Sequence, residues 1–257
     1  MEGIQPATPL RLLKEVLNLL PNHLKTFIVG AGMDQMTHEE LMSLLVEGYS
    51  LYRWGDGETA IARGKSISYQ ESNIFLARKI RSLLGMREDR LVHGLSWACT
   101  TPIWDKRWKN KKLFKVMFST RVFLIQNHEF SSANKYVETQ IWYHRDQNLD
   151  SDLLKIVRNR PVLLVASDEK FLSVTPSQTQ FLKCLKKNAF IEYESLHENI
   201  SQWISAQDQG PKPCILLAAG PTSKAIIFDF IKRAQLIDIG HGFNFFLRGS
   251  GSYAWKD

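Results

Sequence analysis

The chain has 257 residues, 44% of them hydrophobic, which is enough to bury a substantial core within one large domain. Its formal net charge of +7 favours an anionic partner but fits a phosphorylated substrate, an acidic membrane surface and nucleic acid about equally well. Three widely separated cysteines exclude a zinc cluster or a dense disulfide framework, and no apolar run reaches the roughly 18 to 20 residues of a membrane span.

Segments with the composition of strands alternate with segments of helical periodicity along the chain. This alternation predicts an α/β fold in which a mostly parallel sheet is flanked by helices on both faces. We expect one domain over residues 1–257, with a helical N-terminal segment at about 1–46 and a flexible tail at about 248–257. The predicted strands are Ser50–Trp54, Leu91–Leu95, Val122–Gln126, Val162–Ala166, Phe190–Tyr193, Cys214–Ala218 and Leu236–Ile239. The predicted helices are Pro9–Leu20, Thr37–Val46, Ser72–Leu84, Ser131–Tyr143, Pro176–Lys187 and Ser223–Ala234.

The first predicted helix, Pro9–Leu20, carries a broad apolar face beside Arg11 and Lys14. Docking of this face onto the domain is the expected role, and membrane-surface binding or dimerisation are the alternatives. The second predicted helix starts at Thr37, because Glu40 three residues later completes a capping-box pattern.

The stretch Tyr-Arg-Trp-Gly-Asp-Gly-Glu that ends at Glu58 is the most informative in the sequence. Asp56 and Glu58 offer the hard oxygen ligands that Mg²⁺ and Mn²⁺ prefer, while Gly55 and Gly57 let a bulky ligand come close. Asp-Gly and Gly-Asp are also ordinary turn dipeptides, so the heptapeptide alone fits a simple turn as well as a metal site. Arg53 shifts the balance, since it adds a cation at the end of a predicted strand, where open α/β sheets bind ligands.

A basic block lies between Lys106 and Lys115, with Trp104 and Trp108 interleaved. A solvated helix face is the default interpretation, and contact with an anionic membrane surface is the alternative. The first residues lack the layout of a secretion signal. We therefore expect a cytoplasmic protein, with a peripheral position at the inner face of the membrane if this block is functional.

A second candidate site follows the predicted strand Cys214–Ala218, where a Gly turn leads into a helix. Free backbone N–H groups and the positive end of a helix dipole suit such a junction to a phosphate, and a hydroxyl and an ammonium group could add to it. The pattern is neither a Walker A loop nor a dinucleotide-binding fingerprint, and many such turns serve only as helix caps. The residues concerned are Gly220, Pro221, Thr222, Ser223 and Lys224.

Polar side chains also follow two other predicted strands. Asp238 lies in an otherwise apolar strand, where a carboxylate is costly to bury unless it is paired or bound to something. His241 comes shortly after it, and is either a ligand contact or an ordinary turn histidine. Asp168 follows Val162–Ala166 in a corresponding position. These three residues, in no firm order, are the candidates for a general base.

Four motifs together resemble the GT-D-type glycosyltransferase family, bacterial enzymes formerly classed as a domain of unknown function. They are Tyr-Arg-Trp-Gly-Asp-Gly-Glu, Gly-Lys-Ser-Ile-Ser-Tyr-Gln at 64–70, Gly-Pro-Thr-Ser-Lys at 220–224 and Asp-Ile-Gly-His at 238–241. They occur in the family's order, and the resemblance runs from about residue 45 to about residue 245.

The resemblance implies a Rossmann-like domain that transfers a sugar from a nucleotide donor, typically UDP-glucose or a relative, to a glycan or glycoprotein acceptor. It implies that Asp56 and Glu58 serve the metal, Mn²⁺ or Mg²⁺, and the diphosphate of the donor. Arg53 and the Gly220–Lys224 turn are expected to add positive potential to this cofactor-binding site. Nucleic acid is not expected as a partner.

The chain departs from the family's pattern at two places. Gly242 and Phe243 stand where an Ile-Asp pair is usual, and residues 167–173 replace a Gly/Asn-rich loop. Two other functions therefore stay open. A metal-dependent phosphohydrolase or phosphotransferase could use the same acidic pair, and a non-catalytic binder of anionic surfaces could use the net positive charge.

Overall fold

The computed structural model of the chain describes residues 36–102, 109, 111–128, 135–138, 154–207 and 210–240. These residues form one seven-stranded sheet in the order β3-β2-β1-β7-β6-β4-β5, and all neighbouring strands are parallel. The strands are β1 Ser50–Trp54, β2 Leu91–Leu95, β3 Lys135–Glu138, β4 Val162–Ala166, β5 Gln180–Lys183, β6 Cys214–Ala218 and β7 Gln235–Asp238. The predicted α/β class with a mostly parallel, Rossmann-like sheet is confirmed.

Helices connect the strands and cover both faces of the sheet. They are α1 His38–Val46, α2 Asp56–Ala62, α3 Ile74–Leu84, α4 Trp97–Thr100, α5 Lys111–Asn127, α6 Tyr193–Ser205 and α7 Thr222–Phe230. Two 3₁₀ helices, Glu169–Val174 and Ala189–Glu192, follow β4 and β5.

Alternation along the central strands divides the buried apolar side chains between two cores. In β1, Tyr52 and Trp54 pack with α2, α3, α6 and α7, whereas Leu51 points to the opposite face and packs with α1. In β6, Leu217 and Leu216 divide in the same way. A strand that is buried on both faces reads as a continuous apolar run, which is why the central strands could be recognised in the sequence.

The start of α1 follows the predicted capping box. Oγ1 of Thr37 accepts a hydrogen bond from the backbone N–H of Glu40 at 3.2 Å, and Oε2 of Glu40 accepts one from the backbone N–H of Thr37 at 2.7 Å. Two N–H groups that the helix itself cannot satisfy are therefore bonded, and α1 begins where the sequence predicts.

Four predicted strands have the predicted bounds, and the seventh is shifted by one residue to Gln235–Asp238. Two predicted strands are wrong. Val122–Gln126 lies within α5, where Phe123 and Leu124 are buried in the core, and Phe190–Tyr193 is a 3₁₀ turn that leads into α6. In both cases β-branched and aromatic composition suggested a strand, but a helical packing surface decided the local structure.

Two predicted helices are also wrong where the structure describes them. The range Ser131–Tyr143 contains β3, and the range Pro176–Lys187 contains β5. Both strands are edge strands with exposed polar residues, so neither has the apolar alternation from which a strand is recognised. The helix α6 was not predicted, whereas the predictions of α1, α3 and α7 are confirmed with small shifts of their bounds.

Several predictions lie outside the described residues. These are the first helix, the C-terminal tail, His241 and most of the basic block from Lys106 to Lys115. Within the described ranges, none of the helices combines the length and the apolar character that crossing a membrane would need.

Candidate functional site

The acidic heptapeptide forms a junction between β1 and α2. It was interpreted as a Gly-flanked turn, but Gly55 is the N-cap of a helix in which Asp56 is the first residue and Glu58 the third. Oε2 of Glu58 accepts a hydrogen bond from the N–H of Gly55 at 2.9 Å, and Nε1 of Trp54 donates to Oγ1 of Thr59 at 2.9 Å. Since both bonds cross the junction, they fix the direction in which α2 leaves the strand.

The two acids of this junction differ in their exposure. Asp56 is exposed at the carboxyl end of the sheet, whereas Glu58 is buried beneath it. The pKa of Asp56 is raised, first by burial of part of its carboxyl group and then by the neighbouring charge of Glu58, and backbone N–H groups of Asp56 and Gly57 partly offset the shift. Asp56 is therefore the acid that a ligand at this end of the sheet reaches directly, while the charge of Glu58 acts on it from below.

Lys224 is the counter-ion of the buried acids. Its Nζ lies 2.7 Å from Oε1 of Glu58 and 2.7 Å from Oδ2 of Asp238. The side chains of Lys224 and Asp238 are 5% and 1% exposed, so this ion triad is shielded from water. It joins the first turns of α2 and α7 to the end of β7. Burying these charges is possible because each carboxylate faces the ammonium group.

The pKa values of Glu58 and Lys224 follow from this pairing. Burial alone would raise the pKa of Glu58, but the ammonium of Lys224 and the N–H of Gly55 hold it below its usual value. Burial alone would lower the pKa of Lys224, but Asp238 and Glu58 together raise it above its usual value. At neutral pH, Glu58 and Lys224 are therefore charged.

Arg53 reaches across the sheet edge from β1 to the end of β7. Its Nη1 donates to the carbonyl oxygen of Ile239 at 2.6 Å. Gly240 has a φ of +53° and lies so close that a Cβ at this position would collide with Nη1 of Arg53. Arg53 thus lies at the end of the strand that carries Asp238, with its guanidinium on a backbone carbonyl, and its expected contribution of positive potential to a bound ligand stays a prediction.

The Gly220 turn directs its polar groups inward. Oγ of Ser223 accepts from the N–H of Ala219 at 3.2 Å, while the N–H groups of Ser223 and Lys224 donate to the carbonyls of Gly220 and Pro221. Thr222 and Ser223 are fully buried, and Lys224 belongs to the ion triad. The predicted phosphate-binding role of these residues stays a prediction, since these contacts shape the turn itself.

Tyr69 is a site residue for which the sequence predicted no role. Its ring lies over both Gly turns, because a Cβ on Gly220 would be 3.2 Å from Cε2, and a Cβ on Gly57 would be 3.2 Å from the phenolic oxygen. The side chain is 37% exposed, and its pKa is raised to about 12, mainly by burial and by the charge of Glu58. The sequence signal that could have identified Tyr69 is its position in the motif Gly-Lys-Ser-Ile-Ser-Tyr-Gln, one of the four that carry the family resemblance.

The segment that carries Tyr69 is held at several points. The carbonyl of Tyr69 accepts from the N–H of Asn188 at 2.9 Å, and Oε1 of Gln70 accepts from Oγ1 of Thr222 at 3.5 Å. The ring is thereby kept over the junctions at which α2 and α7 begin.

Asp168 stands apart from this cluster. It caps the 3₁₀ helix after β4, with Oδ1 accepting from the N–H of Lys170 at 3.1 Å and Oδ2 lying 2.9 Å from Nζ of Lys170. These contacts lower its pKa, and the side chain is exposed. No contact between Asp168 and the triad is among the interactions of the described residues, and its role as a base stays a prediction.

The fit of a divalent cation can be judged from the carboxylate oxygens. Both oxygens of Glu58 have partners, Lys224 and Gly55, whereas Asp56 is exposed outside the triad. Within the described ranges, His, Cys, Asp and Glu form no group of three or more that could hold a metal. The residues thus fit a cation that Asp56 binds while substrate phosphates and water complete its shell, as Mg²⁺ often requires, and the expected ligand role of Glu58 stays a prediction.

Comparison with known proteins gives matches over most of the chain. Residues 51–251 match the family model described as "Glycosyltransferase GT-D fold". A curated relative, the "Probable glycosyl transferase Gly" of Streptococcus gordonii, is 23% identical over an alignment of 225 positions, which covers 79% of this chain and 31% of the relative. The chain therefore spans about a third of the length of that relative.

Solved structures share the fold. A structure of domain of unknown function 1792, described as having a distinct glycosyltransferase fold, superposes with a TM-score of 0.65 at 20% identity, covering 88% of this chain and 83% of that one. A glycosyltransferase of the same domain type from Streptococcus sanguinis gives a TM-score of 0.64 at 19% identity, covering 83% of this chain and 84% of that one.

Proposed function

Because the chain belongs to the GT-D glycosyltransferase family, we propose that it transfers a hexose from a UDP-sugar, such as UDP-glucose, to a glycan or glycoprotein acceptor. The observation that carries the proposal is the exposed Asp56 at the carboxyl end of a parallel sheet, beside Gly57, Gly220 and Tyr69. Open α/β sheets bind their ligands at this end of the strands.

The charge balance of the site supports a divalent cation as cofactor. Three carboxylates, on Asp56, Glu58 and Asp238, face two cations, Arg53 and Lys224, which leaves one excess negative charge. A sugar-nucleotide diphosphate is itself anionic, so these five side chains alone would repel it. A bound Mn²⁺ or Mg²⁺ supplies positive charge against the leaving diphosphate.

Each residue of the site has a separate task in this proposal. Asp56 holds the cation from the exposed side. Glu58 caps Gly55 and thereby fixes the first turn of α2, on which Asp56 stands. Lys224 keeps Glu58 in place by its ion pair. Tyr69 forms the wall over the two Gly turns and limits the access of water to the reacting bond.

The base that accepts the acceptor's proton stays a proposal as well. Asp238 is almost fully buried and faces Lys224, a position that an acceptor hydroxyl cannot easily reach. His241 directly follows Gly240 in the sequence, and Asp168 is exposed. We propose His241 as the first candidate, with Asp168 as the alternative.

A screen of nucleotide sugars with Mn²⁺ present and absent tests the proposed function. The full chain is incubated with each donor, and both released nucleoside diphosphate and the sugar product are measured. We expect Mn²⁺-dependent release of UDP and a lengthened glycan when a suitable acceptor is added. Free sugar as the only product with every acceptor would favour a hydrolase, and no turnover or binding of any nucleotide sugar would overturn the proposal.

A further inference from the structure

Six large hydrophobic side chains lie exposed on the side of the sheet where the strands have their carboxyl ends, as the candidate site does. We name this set the site-edge patch. Ile191 and Phe75 are its most exposed members, at 74% and 63%. Single exposed hydrophobic residues are common in soluble proteins, but their concentration in one region marks an interaction surface. The members are Ile74, Phe75, Phe114, Val116, Leu185 and Ile191.

The topology places the first turns of α3 and α5 at this edge. His128, just after α5, lies with Nδ1 2.7 Å from the carbonyl oxygen of Leu84, the last residue of α3. The two helices therefore end together, and α3 ends shortly before β2 begins, at the amino ends of the strands. Their first turns, which carry Ile74 and Phe114, consequently lie toward the carboxyl ends, as the candidate site does.

The remaining members lie in the segment between β5 and α6, which is bonded to the site. Leu185 and Ile191 flank Asn188, whose N–H donates to the carbonyl of Tyr69 at 2.9 Å. Oδ1 of Asn188 accepts from the N–H of Glu71 at 2.7 Å, two residues further along the Tyr69 segment. This part of the patch is thus continuous with the wall of the candidate site.

Exposed cations accompany each apolar segment of the patch. Lys115 stands between the two members on α5, and Lys186 and Lys187 directly follow Leu185. Arg78 lies one turn after the two members on α3. Lysine is depleted at protein–protein interfaces, whereas anionic lipid headgroups attract it, so the charges favour a membrane over a protein partner.

Among the described residues, fewer large hydrophobic side chains are exposed on the opposite side, where the strands have their amino ends. Only two other large hydrophobic side chains outside the site are comparably exposed in the described part of the chain, Val46 and Leu154. Both lie shortly before strands, at the amino ends of β1 and β4. Most exposed apolar side chains of the described residues therefore lie at the carboxyl ends of the strands. Val46 and Leu154 provide a matched control for substitutions in the patch.

We propose that the site-edge patch, at the carboxyl ends of the strands, docks on the surface of an anionic phospholipid bilayer. The apolar side chains enter the interfacial layer, and the lysines contact the headgroups. A bilayer is the occupant because exposed cations accompany the apolar side chains on each of the three segments, and an anionic, fluid surface can adapt to all of them. Docking brings the candidate site beside the membrane, within reach of an acceptor anchored there.

Sedimentation of the full chain with vesicles tests this proposal independently of any enzymatic activity. Vesicles of phosphatidylcholine alone are compared with vesicles that also contain phosphatidylglycerol. We expect binding to the anionic vesicles, weakened by salt. The double variant Phe75→Ser/Ile191→Ser is expected to bind at least about tenfold more weakly, because each side chain loses its burial in the interface. The control Val46→Ser/Leu154→Ser is expected to bind like the wild type.

A second variant separates the electrostatic part of the interaction. Lys186→Glu/Lys187→Glu is expected to lose binding to anionic vesicles without a change in thermal stability, because both side chains are exposed. Three results would overturn the proposal: no binding of the wild type, equal binding by the patch and control variants, or self-association of the chain that Phe75→Ser/Ile191→Ser abolishes in place of vesicle binding.

Discussion

The ammonium group of Lys224 lies 2.7 Å from Oε1 of Glu58, with both side chains buried. This ion pair connects the first turns of α7 and α2, and Asp238 extends it to β7. The position of Asp56 at the surface therefore depends on a charge network beneath it. The network explains how one short heptapeptide can contain both an exposed acid and a structural one.

Replacing Lys224 by Met is expected to lower the free energy of unfolding by about 3–5 kcal/mol, because it leaves two buried carboxylates without a counter-ion. Urea denaturation measures the loss. Lys79→Met is the control, since its partner Asp229 and Lys79 itself are partly exposed, and this loss is expected to be about 1 kcal/mol. Equal losses in the two variants would contradict the structural role of the triad.

The two acids of the heptapeptide are expected to differ in their effects on stability. Asp56→Asn should change the free energy of unfolding by no more than about 0.5 kcal/mol, because the side chain is exposed. Glu58→Gln should cost about 1–3 kcal/mol, because it removes one of two charges that face Lys224. Urea denaturation of both variants checks the difference, and a larger loss for Asp56→Asn would refute this assignment of roles.

Much of the fold could be predicted from the sequence because its central strands are buried on both faces. Val162–Ala166 and Cys214–Ala218 are continuous apolar runs with their predicted bounds. The edge strands Lys135–Glu138 and Gln180–Lys183 could not be predicted, since an edge strand tolerates polar residues and pairs with a single neighbouring strand. Apolar content thus identifies strands only where packing demands it.

The candidate site, too, could be predicted only in part. The carboxyl ends of parallel strands share one edge, so the proximity of Asp56, Asp238 and the Gly220 turn was predictable. The partner of Lys224 was not, because a lysine after a Gly turn suits a phosphate as well as a buried carboxylate. Only the tertiary arrangement of α2, α7 and β7 decides between these two partners.

Gly220 and Gly64 allow the contact with Tyr69 to be tested. Both have positive φ, +58° and +77°, but a Cβ on Gly64 would meet no atom within 4 Å, whereas one on Gly220 would press on the ring. Gly64→Ala is expected to cost about 1 kcal/mol for the backbone conformation alone. Gly220→Ala should cost about 1 kcal/mol more, because the ring must move. Equal unfolding free energies would show that the ring does not press on this turn.

A buried histidine–tyrosine cluster predicts acid sensitivity. Nδ1 of His93 lies 2.8 Å from the hydroxyl of Tyr52, and the rings of His128 and Tyr136 pack beside it. Burial, together with His128, lowers the pKa of His93 to about 3. The folded state therefore keeps His93 neutral where the unfolded chain protonates it.

The sign of this effect is a loss of stability at low pH. Above pH of about 6.5, His93 is neutral in both states and contributes nothing. Below it, the group should lower the free energy of unfolding by about 1.4 kcal/mol per pH unit, down to the folded pKa. Urea denaturation between neutral and acid pH measures the slope, and His93→Gln isolates the histidine. An identical slope in wild type and variant would exclude His93 as the cause.

The central claim is that Asp56 holds a cation against the diphosphate of a nucleotide sugar, and titration calorimetry tests it most directly. Wild type and Asp56→Asn are titrated with the UDP-sugar found in the screen, with and without Mn²⁺. We expect that either omission of Mn²⁺ or Asp56→Asn weakens binding by about a hundredfold, or about 2.7 kcal/mol. Binding of the donor to Asp56→Asn as tightly as to the wild type, with the same dependence on Mn²⁺, would contradict it.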